Sequence, residues 1–336
     1  MYKKIFGVVL ILHLIAFAYL GLRSGNPNPE AGQNEISDAR PTDASQRVDT
    51  VEDDLLEEIA PEPEAVAPQI IEFSQALNES LPVSINPEGL ESGILFDATA
   101  NRVIWEKNSQ QPIRIASMTK MMTALLAFED EAKRDDLSMD TIIKVSNAAY
   151  RIGGSQVWLD PRESFSLEEL LITIMVKSAN DSSYLVGEYL ANGKMDQFIA
   201  RMNTRATELS MTQTEFLNAH GLPEGETGNT ASCQDLVRLA LALYRFDSAL
   251  EWASIPNYKF RSEAEEPTIL ANHNRLVLTT PGVNGLKTGY TKAAGFCVTA
   301  TCERDGRILI AATTGFPSSK RRDSFTEALL EWGYSQ

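Results

Sequence analysis

The pattern of apolar and polar residues changes character twice along the C-terminal three quarters of the chain. Residues 92–106, SGILFDATANRVIWE, predict two short strands around an Asp-Ala-Thr-Ala-Asn turn. Apolar residues with helical spacing then predict a long helix over 117–129. Helical patterns continue through 130–250, and they are clearest at 167–176, 195–209 and 234–245.

Strand patterns return near the C-terminus and precede a last helix that reaches Trp332. GVNGLKTGY ends at Tyr290, and FCVTATCERDGRILIAATTG contains an Asp-Gly turn at 305–306. Strands at both ends with helices between them predict an α/β (α+β) fold in which the two ends of the segment share one antiparallel sheet. We expect helices to flank this sheet, with an all-helical lobe inserted, in one interleaved domain over 89–336.

The N-terminal quarter has the composition of an export segment followed by a tether. Lys3 and Lys4 precede the apolar run 5–22, which predicts either a cleaved signal peptide or an uncleaved membrane anchor over 1–23. Residues 24–88 are rich in Pro, Glu, Asp, Ser and Asn and predict an acidic disordered linker. Everything after residue 25 is therefore expected outside the cytoplasm.

Charge and cysteine content exclude two classes of protein. The formal net charge is −16, and residues 26–90 hold 15 acidic and 2 basic side chains, so a nucleic-acid partner is not expected. The three cysteines are too few for a disulfide framework, and the three scattered histidines suggest no metal site. Cys297 and Cys302 are separated by an odd number of positions, so on one strand they would point to opposite faces. We expect no metal and no cofactor.

Three short motifs carry the candidate chemistry. Ser117 and Lys120 are one helical turn apart, so the lysine amine can take the proton of the serine hydroxyl. Burial beside a second cation lowers the pKa of a lysine, and Lys287 in Lys-Thr-Gly is the expected second cation. The third motif is Ser178-Ala179-Asn180. Alone, Ser-x-x-Lys is weak evidence; the three motifs together predict a nucleophilic serine with a lysine base.

These motifs resemble those of the serine penicillin-binding protein and β-lactamase superfamily, and specifically its low-molecular-weight D-alanyl-D-alanine carboxypeptidases. The resemblance extends over about residues 90–336 and includes IASMTKMMTALLAFE, SANDSSYLVGE, FLNAHGLP, NHNRLVLTTPGVNGLKTGYTKAAGFC and EALLEWGY. It implies the β-lactamase/transpeptidase-like fold. It also implies hydrolysis of the terminal D-alanine of peptidoglycan stem peptides through an acyl-enzyme on Ser117, and β-lactam antibiotics as covalent inhibitors.

The resemblance implies further roles residue by residue. Ser178 would relay the proton to the leaving amine, and Asn180 would bind a substrate amide. Substrate binding is also implied for Lys287, Thr288, Gly289, the backbone N–H of Tyr290 as an oxyanion donor, and the carboxylate-orienting Arg275 and Arg322. Gly289 would leave room for the peptide beside the strand. His220 is expected to order a loop near the cleft.

Three alternatives stay open. A β-lactamase would need a base for deacylation, and Thr214 stands where class A enzymes place their glutamate, with Glu215 one position away. An endopeptidase that cuts D-alanine cross-links shares the same motifs. A tethered scaffold without activity is disfavoured because every expected catalytic residue type is present. The implied partners are stem peptides and, through the N-terminal segment, the membrane.

Overall fold

The computed structural model describes residue 71, residues 73–78 and residues 80–336. The strands in this part are β1 Gly93–Asp97, β2 Arg102–Lys107, β3 Ile113–Arg114, β4 Ile142–Lys144, β5 Ser164–Ser166, β6 Thr230–Ala231, β7 Asn257–Phe260, β8 Thr268–Ala271, β9 Val283–Thr291, β10 Gly295–Arg304 and β11 Arg307–Phe316. The helices are α1 Lys120–Glu131, α2 Asn147–Tyr150, α3 Leu167–Val176, α4 Asn180–Leu190, α5 Met195–Glu208, α6 Cys233–Leu243, α7 Asp247–Ser254, α8 Leu276–Thr279 and α9 Ser319–Tyr334.

The main sheet has five antiparallel strands in the order β2-β1-β11-β10-β9. Both ends of the domain therefore contribute to one sheet, as predicted, and the helical segment is inserted between β2 and β9. Asp305 and Gly306 both have positive φ (50° and 75°), the conformation that a tight hairpin between β10 and β11 requires. Because β9 is an edge strand, one side of its backbone is left for other contacts.

The helical lobe follows local sequence signals closely. Ser166 and Glu169 form a reciprocal capping box, which begins α3 at Leu167, the residue at which the pattern predicts it. The predicted helices over 195–209 and 234–245 correspond to α5 and α6 within one or two residues. The sequence pattern missed α4 and the β7–β8 hairpin. Helix α4 begins with the polar residues of the Ser-x-Asn motif, and the hairpin is short and largely exposed, so neither shows clear periodicity.

The sheet separates two apolar clusters. Its inner face packs on the helical lobe through residues such as Phe96, Met118 and Ile310, and its outer face packs on α9 through Leu95 and Leu329. Cys297 belongs to the inner cluster and Cys302 to the outer one, which confirms their opposite orientation. Together with Cys233 they are buried free thiols.

Part of the predicted linker lies against the domain. Phe73 contacts the ring of Phe96 edge-on, the guanidinium of Arg238 lies over Phe73, and Ile85 is buried. The packed unit thus begins before Gly89. The predicted export segment and most of the predicted linker fall outside the described residues. Among the helices that are described, none has the length and apolar character to cross a bilayer.

Candidate active site

Ser117 lies in a 3-10 turn, Ala116–Thr119, immediately before α1. The sequence predicted the helix from Ser117, whereas regular α-helix begins at Lys120. Ala116 has a left-handed backbone (φ 45°), which is uncommon for a residue with a side chain. The turn is tightly enclosed, since a Cβ on Gly221 would lie 2.0 Å from the carbonyl oxygen of Ala116 and 3.0 Å from the nitrogen of Ser117. This packing holds the strained turn in place.

The buried amine of Lys120 has three oxygen neighbours. Its Nζ lies 3.0 Å from Ser117 Oγ, 2.6 Å from Asn180 Oδ1 and 2.5 Å from the carbonyl oxygen of His220. The last two atoms only accept hydrogen bonds, whereas the serine hydroxyl can donate. A neutral amine has two N–H groups and one lone pair, so it matches this set when the lone pair faces Ser117.

Electrostatics favour the same neutral form. Complete burial, and then the nearby charge of Lys287, lower the pKa of Lys120 well below its ordinary value, and Asp181 opposes this in part. Burial, and then Arg322, lower the pKa of Lys287 to about 7. The charge of Lys287 thus adds to the lowering of the Lys120 pKa, although burial is the larger cause.

Ser178 lies on the connection between α3 and α4, and Asn180 is the first residue of α4. Ser178 is left-handed (φ 63°), a conformation that glycine usually provides at a helix end, and its hydroxyl makes no hydrogen bond to any described residue. A serine is therefore held where glycine would be more stable. Asn180 is buried; its Oδ1 accepts from Lys120, and its Nδ2 donates to Gly153 O at 2.7 Å. The amide of Asn180 thus fixes Lys120 to the opposite loop.

Two supporting features were missed by sequence reasoning. The carbonyl of His220 accepts through the main chain, and every residue has such a carbonyl, so the residue type does not indicate this role. Asp181, buried beside Asn180, accepts from the backbone N–H groups of Val157 and Leu159 and so fixes the loop that carries Gly153. The NAHGLP block and the acidic residue after Ser-Ala-Asn were the available signals.

His220 itself orders the loop, as expected. Its Nδ1 accepts from the N–H of Leu222 at 3.2 Å, and burial, together with Lys120, lowers its pKa to about 3. The imidazole is therefore neutral. Asn229 fixes the same block by donating to Thr119 Oγ1 at 2.8 Å and to Asn218 O at 2.9 Å. The loop over 218–221 and the nucleophile turn form one hydrogen-bonded unit.

The strand β9 brings the third motif against the nucleophile turn. A Cβ on Gly289 would lie 2.7 Å from Ile115 O and 3.3 Å from the nitrogen of Ser117. The observed reason for this glycine is the close approach of β9 to the turn, and room for a substrate stays a prediction. Lys287 and Thr288 are buried beside the turn, and the ring of Tyr290 is exposed and stacks on Phe296 with centroids 4.1 Å apart.

The two arginines differ in availability. The guanidinium of Arg322 is buried and already bound, because its Nε donates to Asp323 at 2.8 Å and its Nη1 donates to Cys297 O at 3.3 Å. Arg275 is exposed and its side chain has no hydrogen bond or ion pair within the described region. Arg275 is thus free to meet a carboxylate from solvent, whereas Arg322 acts through its charge on Lys287.

The position of a class A deacylation base holds no free carboxylate. Thr214 Oγ1 donates to Asp235 at 2.9 Å, and Glu215 is exposed and pairs through its backbone with Thr230. No cluster of three or more metal-binding side chains occurs among residues 80–336 or the short described stretch before them. The site is thus a serine–lysine arrangement with a second lysine and a second serine.

Comparison with known proteins gives consistent matches to one family. The family model described as D-alanyl-D-alanine carboxypeptidase (Peptidase_S11) matches residues 86–318. The chain is 33% identical over 248 residues to D-alanyl-D-alanine carboxypeptidase DacF of Bacillus subtilis, covering 73% of this chain and 62% of the relative. It is 30% identical over 264 residues to D-alanyl-D-alanine carboxypeptidase DacD of Escherichia coli, covering 76% of this chain and 66% of the relative. The chain thus spans less than two thirds of the length of these relatives.

Solved structures agree on the fold. Penicillin-binding protein D2 of Listeria monocytogenes, in an ampicillin-bound form, aligns with a TM-score of 0.66 at 26% identity over 76% of this chain and 100% of that chain. Penicillin-binding protein 6B of Escherichia coli aligns with a TM-score of 0.67 at 28% identity over 76% of this chain and 81% of that chain. The predicted β-lactamase/transpeptidase-like fold is confirmed.

Proposed function

This chain belongs to the D-alanyl-D-alanine carboxypeptidase family, and we propose that it removes the terminal D-alanine of peptidoglycan stem peptides through an acyl-enzyme on Ser117. The observation that carries the proposal is the position of Lys120 Nζ, 3.0 Å from Ser117 Oγ and bound to two acceptors. A neutral lysine held in this way is a base at the nucleophile's own oxygen.

The proposed reaction begins with acylation of Ser117. Ser117 Oγ attacks the carbonyl carbon of the penultimate D-alanine while its proton passes to Lys120 Nζ. The N–H groups of Ser117 and Tyr290 stabilise the oxyanion. The tetrahedral intermediate collapses with cleavage of the C–N bond, and the leaving amine of D-alanine takes a proton from Lys120 through the hydroxyl of Ser178. Water then attacks the ester, and the carboxylic acid and free Ser117 are released.

Recognition of the terminal carboxylate is assigned to a cationic edge of the site. Protonated Lys287 and the hydroxyl of Thr288 hold the carboxylate, and the exposed guanidinium of Arg275 orients it. Asn180 retains one amide hydrogen beyond its bond to Gly153, which we assign to the substrate amide. Gly289 keeps β9 close to Ser117, so the two oxyanion donors stay together.

The proposed activity is tested by incubating the purified full-length protein with a pentapeptide stem and, separately, with a cross-linked dimer. We expect free D-alanine from the pentapeptide at a higher kcat/KM than cleavage of the dimer. A Ser117→Ala variant should release none. Preferential cleavage of the dimer would replace the carboxypeptidase with the endopeptidase, and no product from either substrate would refute the proposal.

Benzylpenicillin is expected to form a long-lived acyl-enzyme on Ser117. The reason is that Thr214 Oγ1 donates to Asp235 and Glu215 is exposed, so no carboxylate of the described residues is free at the position of the class A base. Intact-mass spectrometry over hours after removal of free penicillin measures the lifetime. Rapid turnover of a chromogenic lactam would contradict this prediction and favour the β-lactamase alternative.

Arg322 is expected to set the alkaline limit of activity. Neutral Lys120 and protonated Lys287 are both required, so kcat/KM should rise as Lys120 loses its proton and fall as Lys287, with a pKa of about 7, loses its own. Arg322→Gln removes a neighbouring charge, which raises the pKa of Lys287 and moves the falling limb to higher pH. The measurement is kcat/KM for D-alanine release from pH 5 to 10.

Two variants control this profile. Arg321→Gln changes the neighbouring arginine, which forms an ion pair with Glu88. This variant should leave the alkaline limb of the pH profile unchanged. Arg322→Lys retains the charge and should stay near the wild-type profile. The thermal transition shows whether the Arg322→Gln protein is folded. If it is folded and the alkaline limb of its pH profile does not shift, the role assigned to Arg322 is contradicted.

The location of the enzyme rests on residues outside the described region. We propose that residues 1–23 export the chain, that the part of residues 24–88 before the packed Phe73 tethers it, and that the packed unit acts on the cell wall from the outer side of the membrane. The charge asymmetry of the export segment and the acidic tether support this arrangement. Intact mass of the protein from the membrane fraction distinguishes an uncleaved anchor from a cleaved signal.

A further inference from the structure

A cavity of about 290 Å³ opens beside Tyr290, at the end of the main sheet. It is bounded by the β9–β10 hairpin, by the end of β11 and by Glu91, which precedes β1. The exposed ring of Tyr290 and the Phe296 ring stacked on it both line the cavity. None of the catalytic steps above uses this space.

Two glycines bring the walls of the cavity together. A Cβ on Gly295 would lie 2.7 Å from the carbonyl carbon of Gly315, and a Cβ on Gly315 would lie 2.4 Å from Glu91 Cβ. Both glycines have positive φ, 63° and 86°. The hairpin, the end of β11 and Glu91 can approach this closely only because neither glycine has a side chain.

The cavity presents one charge of each sign. Glu91 and Lys292 both line it, both are exposed, and neither side chain forms a hydrogen bond or an ion pair with a described residue. They do not pair with each other either, so space remains between a carboxylate and an ammonium group. A small number of convergent polar groups in a concave site is what fixes the orientation of a ligand.

The direction of β9 indicates what reaches this space, and this step rests on the proposed function. Lys287 and Thr288 hold the leaving D-alanine, and the N–H of Tyr290 holds the acyl carbonyl two residues further on. Residues beyond Tyr290 must then face the part of the substrate before the acyl D-alanine. Lys292 is two positions on, the first residue after the end of β9, so it lies on the side of Tyr290 that faces the preceding residue of the substrate.

We propose that this cavity receives the side chain of the stem-peptide residue that precedes the acyl D-alanine. Glu91 binds an ammonium group and Lys292 binds a carboxylate at the end of that side chain. The cavity therefore selects a diamino dicarboxylic acid, whose side chain ends in both groups, over a diamino acid whose side chain ends in an amine alone.

The test compares two pentapeptides that differ only at this residue, one with meso-diaminopimelate and one with lysine. We expect the wild-type full-length protein to prefer the diaminopimelate peptide in kcat/KM. Lys292→Met should lower kcat/KM for that peptide by about fivefold, as for the loss of one exposed ion pair, and leave the lysine peptide unchanged. Glu91→Gln should lower kcat/KM for both peptides, since both side chains carry an ammonium group.

Matched controls and a second readout separate this inference from the proposed function. Lys320→Met and Glu88→Gln change exposed charges outside the cavity and should leave the preference intact. The rate of acylation by benzylpenicillin should not change in Lys292→Met, because that inhibitor carries no stem-peptide side chain. The inference would be overturned if the wild-type protein had equal kcat/KM for the two peptides, or if Lys292→Met lowered kcat/KM equally for both. Release of D-alanine in those experiments would still support the proposed function. If neither peptide released D-alanine, both would fail.

Discussion

Lys120→Met is expected to reduce the rate of acylation by penicillin about a thousandfold, within the range found when a general base is removed. The amine lies 3.0 Å from Ser117 Oγ, and no other described titratable group hydrogen-bonds to that oxygen. The measurement is the second-order rate constant for labelling with a fluorescent penicillin. Lys133→Met, an exposed lysine after the end of the same helix, is the matched control and should label at the wild-type rate.

Lys120→Arg separates the role of a base from that of a charge. A guanidinium carries a positive charge and stays protonated at any working pH, so it cannot accept the serine proton. We expect a loss as large as that of Lys120→Met. A Lys120→Arg protein that acylates within tenfold of wild type would show that Lys120 acts by its charge. Both variants change the hydrogen-bond donors to Asn180 Oδ1 and His220 O. Each buried acceptor left unpaired lowers the free energy of unfolding by roughly 1–3 kcal/mol, so the thermal transitions of both variants must be recorded.

The proposed catalytic side chains could be nominated from the sequence because their chemistry is local. Ser117 and Lys120 are one helical turn apart, and residue type alone nominates Lys287 as the second cation. The start of α3 could be predicted for the same reason, because its capping box at Ser166 is a local sequence signal. The partners of Lys120 could not be predicted in this way, because one is the carbonyl of His220 and the other reaches it only when two distant loops meet.

Burial is the other property that the sequence could not supply. Arg275 and Arg322 look alike as arginines near family motifs, yet Arg275 is exposed, whereas Arg322 is buried and bound to Asp323 and to the carbonyl of Cys297. The difference depends on α9 packing against the sheet, which is a tertiary contact. The same applies to Gly289, whose missing side chain is explained by Ile115 more than 170 positions earlier in the chain.

Gly289→Ala is expected to reduce acylation by about 100- to 1,000-fold, the range for loss of an oxyanion donor. The added Cβ would lie 2.7 Å from Ile115 O, a backbone atom that cannot rotate away, and 3.3 Å from the nitrogen of Ser117. Either β9 or the nucleophile turn must move, and each carries one of the two proposed oxyanion donors. The separation of the Ser117 and Tyr290 N–H groups therefore changes whichever element yields.

Two further glycines distinguish this geometric effect from a loss of stability. Gly187→Ala places a Cβ 2.8 Å from Phe198 Cδ1 inside the helical lobe, so it should destabilise the fold while the folded protein acylates normally. Gly228→Ala meets no atom closer than 3.6 Å and should change neither property. Acylation rates and thermal transitions are compared below the transition of every variant. If Gly289→Ala loses stability as Gly187→Ala does but acylates at the wild-type rate, the contact between β9 and the nucleophile turn serves folding alone, and the oxyanion donors must lie elsewhere.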